Sequence, residues 1–379
     1  MVRGAEQLPP GSGSSEQEGR GTLASSAGDL RARAGVVSAT RTWLSRFAQN
    51  LGPQDWYIGA YFAIVLLALA FGTGPDRPAC IQLVGIDIAL FAAGLALTRG
   101  GVLRHGSFAN SFLYRMTVFL GVFLSYFQLR HILPAVSERA VDGGIFAFDM
   151  RVFHVEPSLA WDRFVTPVTT EWFAFFYFGY FFLIALHVFP MMLGARSLFR
   201  LSHFAMGIFI VFCTGHLVYM IVPGYGPYRY LAHEFHHELS GGVFWGWVKA
   251  TVSAGGAQKD IFPSLHTAAP TFCALFSFRH RRALPYRYTW PAMAFCASQI
   301  ICATMFLRWH YLVDIAAGIT LATFALVMGE RLVTWDFARR ARLNAARPGS
   351  VEPNFHLIDL KELVSRGAVR TPRSRDSLA

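Results

Sequence analysis

Long apolar runs, separated by short polar segments, form the dominant pattern along this 379-residue chain. A run of about 20 apolar residues is long enough to cross the hydrocarbon core of a bilayer as a helix. A membrane β-barrel would instead show short segments of alternating polarity. The pattern therefore predicts an all-α, polytopic membrane helix bundle with about eight transmembrane helices. The predicted spans are residues 56–73, 80–98, 111–129, 168–192, 202–222, 264–278, 289–307 and 310–329.

Polar segments on either side divide the chain into three predicted parts. Residues 1–38 are rich in Gly, Ser, Ala, Glu and Arg and contain no apolar run, so we expect a disordered cytosolic tail. Residues 39–335 are predicted to form one membrane domain. Residues 336–379 are predicted to be a second cytosolic tail, which is basic and polar.

The charged residues are few, and the arginines are concentrated between the apolar runs. Asp, Glu, Lys and Arg make up 15% of the chain, against about 25% in ordinary soluble domains. Arginines follow every even-numbered run, which places both termini of a multi-pass cell-membrane protein in the cytosol. The net charge of +11 is therefore attributed to membrane topology, and nucleic acid is not an expected partner. The clearest examples are Arg99, Arg196, Arg279 and Arg331.

This topology brings three polar segments to one side of the membrane. The loop after the fifth run, the entrance of the sixth and the turn before the eighth all fall on the outer side. Residues 223–229, 264–266 and 308–314 are therefore expected to meet at the outer membrane face. The outer segment 130–166 is predicted to form short interfacial helices that cover the site or guide a lipid toward it, or else to be a plain connecting loop.

Two histidines in these segments are candidates for chemistry. His310 and Asp314 stand four residues apart, which in a helix places them on one face. A carboxylate there can accept the proton of one imidazole nitrogen and leave the other nitrogen free as base or nucleophile. His266 ends the sequence Phe-Pro-Ser-Leu-His at the entrance of the sixth run.

Two motifs carry a family resemblance. The sequences FPSLH at 262–266 and WHYLVDIAAG at 309–318 resemble motifs two and three of the type 2 phosphatidic acid phosphatase superfamily. Their Pro-Ser-Leu-His and His-Tyr-x-x-Asp forms are most similar to the branch of inositolphosphotransferases that contains inositol phosphorylceramide synthases. The resemblance covers roughly residues 200–330. It implies an integral membrane phosphatase or phosphotransferase that works through a phosphohistidine, with no metal or other cofactor.

The resemblance also implies roles for individual residues. His310 is the expected nucleophile, Asp314 orients it, and His266 is the general acid toward the leaving alcohol. Ser264 is expected to donate a hydrogen bond to a phosphate oxygen. The backbone amides that open the sixth run favour an anion at the same place.

The expected phosphate clamp departs from the family pattern. The usual first motif is absent, and the sequence VPGYGPYR at 222–229 stands in its place, so Arg229 is the candidate clamp. The usual arginine six residues before the motif-three histidine is Thr304 here. Arg308 is a nearer substitute, and Lys259 is a third possible phosphate contact.

Transfer and hydrolysis share their first half-reaction, and the sequence leaves both open. The synthase-like motifs favour transfer of a headgroup from a phospholipid to a lipid alcohol of the sphingolipid type. The alternative is a plain lipid phosphate phosphatase that acts on phosphatidate or a prenyl diphosphate. The bilayer itself is an expected partner in either case.

Two unrelated functions are also considered. His233, Glu234 and His237 match the H-E-x-x-H pattern of zinc proteases, which needs a helix and a third ligand. The chain could also be a lipid-binding protein that retains an inactive phosphatase scaffold. The presence of His266, His310 and Asp314 together argues against an inactive scaffold.

Overall fold

A computed structural model of the chain describes residues 43–104, 107–194, 197–255 and 259–346. Its internal contacts divide the chain into two units, Met1–Asn50 and Leu51–Ala379. In the first unit, the described residues 43–50 are helical. The predicted N-terminal tail and residues 347–379 of the predicted C-terminal tail lie outside the described residues.

The second unit is built from helices, as the apolar pattern predicts. Its described residues contain no strand, only an isolated bridge between Gly224 and Asp260. The all-α prediction is therefore confirmed. In chain order the helices are α1 (Pro53–Phe71), α2 (Arg77–Arg99), α3 (Phe108–Val136), α4 (Asp142–Val152), α5 (Pro157–Ala160), α6 (Pro167–Gly194), α7 (Leu198–Ile221), α8 (Pro227–Tyr230), α9 (Val243–Gly255), α10 (Leu265–Arg279), α11 (Tyr286–Phe306) and α12 (Leu312–Ala346).

The count of membrane-spanning helices differs from the prediction. Among the described residues, seven helices are long and apolar enough to cross a membrane, namely α1, α2, α3, α6, α7, α11 and α12. Helix α10, at the predicted span 264–278, has only 15 residues, fewer than the roughly 20 that a span needs. The predicted polytopic helix bundle is therefore confirmed, with seven helices of spanning length and the shorter α10 at the position of the sixth predicted span.

The short helix α10 lies at the centre of the bundle. It packs against α6, α7, α11 and α12, and Ala268, Ala269, Phe272 and Phe276 are fully buried. A helix that is apolar on all sides is buried by its neighbours rather than by lipid. Because these neighbours shield it, α10 can be shorter than the bilayer is thick, and its N-terminus stays inside the protein.

Close approach of α12 positions the N-terminus of α10. A Cβ atom at Gly318 would lie 2.7 Å from the backbone oxygen of Ser264 and 3.0 Å from the Cβ atom of Thr267. Glycine is therefore required at residue 318, because the opposing atom belongs to the backbone and cannot rotate away. This contact fixes the distance between the segment with His266 and the segment with His310.

We predict that Gly318→Ala lowers the free energy of unfolding by about 1–3 kcal/mol, because the added methyl group overpacks this contact. Thermal unfolding of the purified protein in detergent measures the effect. Gly179→Ala in α6 is the matched control, since a Cβ atom there meets nothing within 4 Å. Alanine is the better helix former, so Gly179→Ala is expected to be neutral or slightly stabilising. Equal effects of the two substitutions would contradict the close-approach explanation.

Candidate active site

The three polar segments predicted to converge do meet at one end of the bundle. The backbone amide of Tyr228 donates to the carbonyl of Arg308 at 2.7 Å, and the amide of Ser264 donates to the carbonyl of Asp314 at 3.1 Å. A side chain at Gly226, which has a φ of +95°, would collide with the carbonyl of Trp309. The loop before α10, the turn before α12 and the loop after α7 therefore form one continuous site.

The two candidate histidines face each other within this site. Their ring centroids are 6.4 Å apart, with an angle of 45° between the ring planes. The ring of His266 packs against the rings of Tyr177 and Tyr180, at centroid distances of 4.3 and 4.2 Å. His310 is 4% exposed. Packing from α6 thus fixes the orientation of His266 next to His310.

Ser264 is the N-cap of α10, immediately before His266. Its Oγ atom accepts a hydrogen bond from the amide of Thr267 at 3.2 Å, as N-cap serines commonly do. Ser264 is completely buried at the helix N-terminus. The hydroxyl proton is not used by this bond, so Ser264 keeps a donor at the end of the helix dipole that favours an anion.

His310 is not in a helix, contrary to the assumption behind the pairing with Asp314. Helix α12 begins at Leu312, two residues later. Nδ1 of His310 nevertheless lies 3.4 Å from Oδ2 of Asp314, longer than an ordinary N–H···O hydrogen bond of about 2.9 Å. The same Oδ2 atom accepts the amide of Tyr311 at 2.8 Å. Asp314 therefore caps the start of α12 and holds a carboxylate next to His310.

Asp260 is a site residue that the sequence analysis missed. Its side chain lines the same cavity as the two histidines. Burial lowers the pKa of His310 to about 4, while the carboxyl group of Asp260 acts in the opposite direction. Burial raises the pKa of Asp260, and His310 opposes that shift. His310 is therefore a neutral imidazole at pH 7 with a second acid beside it. The sequence indicated Asp260 only as one acidic residue just before the FPSLH motif.

Segment 130–166 is more than a connecting loop, because its acidic side chains bind the site loops. Asp142, at the start of α4, accepts the amides of Tyr225 and Gly226 at 3.0 and 2.7 Å. The hydroxyl of Tyr311 also donates to Asp142, at 3.3 Å. One buried carboxylate thus connects the loop after α7 to the turn that contains His310.

Asp149, in the same short helix α4, holds the start of α12. It is completely buried and accepts the amides of Leu312 and Val313 at 2.6 and 3.0 Å. Burial raises the pKa of Asp149, and these two hydrogen bonds lower it. The first amides of a helix have no intrahelical partner, so Asp149 satisfies them and fixes α12 two residues after His310.

Asp162 makes the third connection, to Arg308. The guanidinium of Arg308 donates to Asp162 at 2.7 Å and to the carbonyl of His237, and it stacks on the ring of Phe235 at 3.9 Å. Asp162 also accepts the amides of His236 and His237 at 3.0 and 3.2 Å. Burial opposes ionisation, but the bonds from His237 and His236 and the charge of Arg308 lower the pKa of Asp162.

The predicted phosphate clamp is only partly assembled around the histidines. Arg308 is held by Asp162, and the Lys259 ammonium donates to three carbonyls at residues 137–139, after α3, at 3.2, 2.8 and 3.3 Å. Arg229 is exposed, and its guanidinium lies 3.8 Å from the ring centre of Tyr225, which lines the cavity. Arg229 is thus the predicted cation without a protein carboxylate or carbonyl partner among the described contacts. The phosphate contacts of all three stay predictions.

The zinc-protease alternative is wrong in its geometry. Residues 233–237 run from a turn into irregular chain and contain no helix, so His233 and His237 do not occupy adjacent turns of one helical face. His237 instead contacts Asp162 through Nδ1 at 2.9 Å. The described residues contain no group of three or more His, Cys, Asp or Glu side chains placed to hold a metal ion.

A large cavity begins at the histidine pair and extends into the bundle. Its volume is about 570 Å³, within the usual range for sites that enclose small molecules. At the histidine end it is lined by Tyr225, Tyr228, Asp260, His266, Trp309 and His310. Beyond this polar end the wall consists mainly of apolar side chains from α3, α6 and α7.

Comparison with known proteins identifies a similar family. The family model described as "PAP2 superfamily" matches residues 145–328. A PA-phosphatase related-family protein of Dictyostelium discoideum is 30% identical over 133 residues, which cover 34% of this chain and 22% of the relative. The chain thus spans about a fifth of that relative's length. No solved structure matches the chain.

The family match contains all the converging segments, since it begins within α4 and ends within α12. The matched family is the one that the two histidine motifs resemble. Neither comparison distinguishes the inositol phosphorylceramide synthase branch, so that part of the resemblance stays a prediction.

We predict that Asp149→Ala lowers the free energy of unfolding by about 1.5–3 kcal/mol, because it removes hydrogen bonds to a charged group. Turnover of a lipid phosphate is expected to fall as well, since the start of α12 positions His310. Thermal unfolding and turnover, measured on the same detergent preparation, test both effects.

Glu234→Ala is the matched control for Asp149→Ala. Glu234 is an exposed acid in the outer loop, and its replacement is expected to change neither stability nor turnover. An Asp149→Ala protein as stable and as active as Glu234→Ala would contradict the role assigned to Asp149.

Proposed function

We propose that the chain is a membrane lipid phosphotransferase or phosphatase in which His310 attacks the phosphorus atom and His266 protonates the leaving alcohol. The observation that carries this proposal is the pair of imidazoles, 6.4 Å apart, at the polar end of an apolar cavity. A phosphoryl group between them would have a nucleophile on one side and a proton donor on the other, as in-line displacement requires.

The charges around His310 suit a covalent intermediate. In the first step the imidazole nitrogen forms a bond to phosphorus, and the bond from phosphorus to the alcohol oxygen breaks. Burial and His310 lower the pKa of His266 to about 3 in the free protein, so His266 takes up a proton when the phosphate anion binds beside it and then gives that proton to the leaving oxygen. The phosphorylated ring carries positive charge, which the carboxylates of Asp260 and Asp314 stabilise. In the second step an incoming hydroxyl gives its proton to His266 and takes the phosphoryl group from His310.

The second step decides between transfer and hydrolysis. We propose transfer to a lipid alcohol of the sphingolipid type, and the support for it is the form of the two histidine motifs. The second candidate is hydrolysis of phosphatidate or a prenyl diphosphate by water, which the name of the Dictyostelium discoideum relative favours. Incubation with a headgroup-labelled phospholipid, with and without a ceramide acceptor, separates the two by their products.

The distribution of arginines supports a site on the outer face of the cell membrane. Arg99 and Arg279 end α2 and α10, at the end of the bundle opposite to the histidines. Under the positive-inside rule that end faces the cytosol. The histidine pair and the outer segment would then face the extracytoplasmic side, with both termini in the cytosol.

The proposed intermediate leads to a direct trapping experiment. Brief incubation with a substrate labelled in its phosphate, followed by alkaline quenching, is expected to leave label on the protein at His310. His310→Ala is expected to lose both the label and at least a thousandfold in turnover, about 4 kcal/mol of transition-state stabilisation. His266→Ala is expected to slow turnover and keep the site of labelling. Label on a residue other than His310, or turnover by His310→Ala, would contradict the proposal.

The pH dependence of kcat/KM tests the charge state of the nucleophile. Because burial lowers the pKa of His310 to about 4, the neutral and reactive form is present at pH 7, and activity is lost as the pH falls through about 4. Asp260→Asn removes the charge that opposes this shift, so the acid limb is expected to move to still lower pH. Turnover is expected to drop about tenfold, since the charged intermediate loses a partner. If activity is instead lost near pH 6.5, or if Asp260→Asn moves the acid limb to higher pH, the charge states assigned to His310 and Asp260 are contradicted.

A further inference from the structure

The apolar part of the cavity extends far beyond the space that a phosphate headgroup needs. Tyr177, which packs on His266, and Met192 both line it and lie on α6 fifteen residues apart. At a rise of 1.5 Å per residue this separation is about 22 Å. One leaflet of the hydrocarbon core is only about 15 Å thick. The cavity therefore continues past the middle of the bilayer.

The lining of this deep part suits a hydrocarbon and little else. It is formed mainly by Phe, Val, Leu, Ile, Ala and Met side chains of α3, α6 and α7. Among the described residues that line the cavity, the charged side chains are Asp260 at the histidine end and Arg115 at the far end. The guanidinium of Arg115 donates to the carbonyl of Met192, so a contact between α3 and α6 lies at this far end.

The wall between α3 and α6 is thin. Phe123 of α3 and Phe181 of α6 line the cavity and are 45% and 39% exposed. Within the described part of the chain, α3 and α6 are not among the helix pairs that pack extensively against each other. The sparse packing between α3 and α6 leaves a lateral route by which a hydrocarbon chain in the bilayer can reach the cavity.

We propose that this cavity binds one hydrocarbon chain of the lipid substrate and selects long chains by their length. The proposal rests on the proposed function, because the phosphate of the same lipid must lie at the histidine pair. A chain that moves from lipid to protein stays in apolar surroundings, so packing and not the hydrophobic effect sets the preference. A short chain leaves the far end empty and forfeits dispersion contacts, whereas a long chain fills it.

A bulky residue placed half-way along the cavity tests the length selection. Ala185 lines the cavity and lies eight residues after Tyr177 on α6, about 12 Å deeper. Ala185→Phe is expected to lower the ratio of kcat/KM for a long-chain to a short-chain lipid phosphate at least tenfold. Leu186→Phe is the matched control, because Leu186 is 70% exposed on the lipid side of the same helix; its ratio is expected to equal that of the unmodified protein.

A milder obstruction keeps the test valid if Ala185→Phe does not fold. Ala205 of α7 lines the same cavity, and Ala205→Leu is expected to shift the ratio in the same direction by a smaller factor. No preference for long chains in the unmodified protein, or equal ratios in Ala185→Phe and Leu186→Phe, would overturn the proposal while leaving the phosphoryl-transfer chemistry intact.

Binding of an unreactive ligand separates this proposal from the proposed function. A long-chain alkyl phosphonate is expected to raise the thermal unfolding temperature of the unmodified protein and of Leu186→Phe, and to raise that of Ala185→Phe less. If these shifts in unfolding temperature are observed but no lipid phosphate is turned over, the proposed function is contradicted and the hydrocarbon-binding role of the cavity is retained. If the long-chain phosphonate stabilises neither the unmodified protein nor any variant, the proposal that the cavity binds a hydrocarbon chain is overturned.

Discussion

Hydrogen bonds from backbone amides to three buried carboxylates hold the site together. Asp142, Asp149 and Asp162 come from one segment between α3 and α6, and each binds a different loop around the histidines. Loops have no hydrogen-bonding pattern of their own to fix their separation, and a buried amide without a partner costs free energy. Because the acceptors are carboxylates held on short helices, satisfying these amides also fixes the distance between loops that are far apart in sequence.

The same arrangement explains why so much negative charge surrounds a site proposed to bind phosphate. The carboxylates of Asp142, Asp149 and Asp162 accept hydrogen bonds from amides or from Arg308, which offset their charge locally. Asp260 and Asp314 are different, since they lie beside His310 itself. Carboxylates repel a free phosphate but stabilise a histidine that has become positively charged by reaction. In the proposed mechanism, Asp260 and Asp314 would therefore stabilise the phosphorylated ring, and the transition state that leads to it, more than the bound substrate.

Sequence patterns alone could predict the helical bundle, the convergence of three loops and the pairing of His266 with His310. Apolar run length and arginine placement carry that information, and neither depends on side-chain detail. They could not predict that α10 is short, because its burial depends on four neighbouring helices. Sequence patterns also could not predict the tertiary contacts of the site, since each joins residues from different elements. These contacts are the hydrogen bonds of Asp142, Asp149 and Asp162, the pairing of Arg308 and the position of Asp260. The helical pairing assumed for His310 was wrong because α12 begins two residues later.

The central claim is that the two imidazoles meet around a single phosphorus atom. An experimental structure of the chain with orthovanadate, which mimics the transferring phosphoryl group, tests this claim most directly. We predict vanadium bonded to the ring of His310, with the ring of His266 within hydrogen-bonding distance of a vanadate oxygen on the opposite side and the amides at the start of α10 facing the equatorial oxygens. Vanadate bound away from both rings, or in contact with only the exposed loop at 233–237, would contradict the claim.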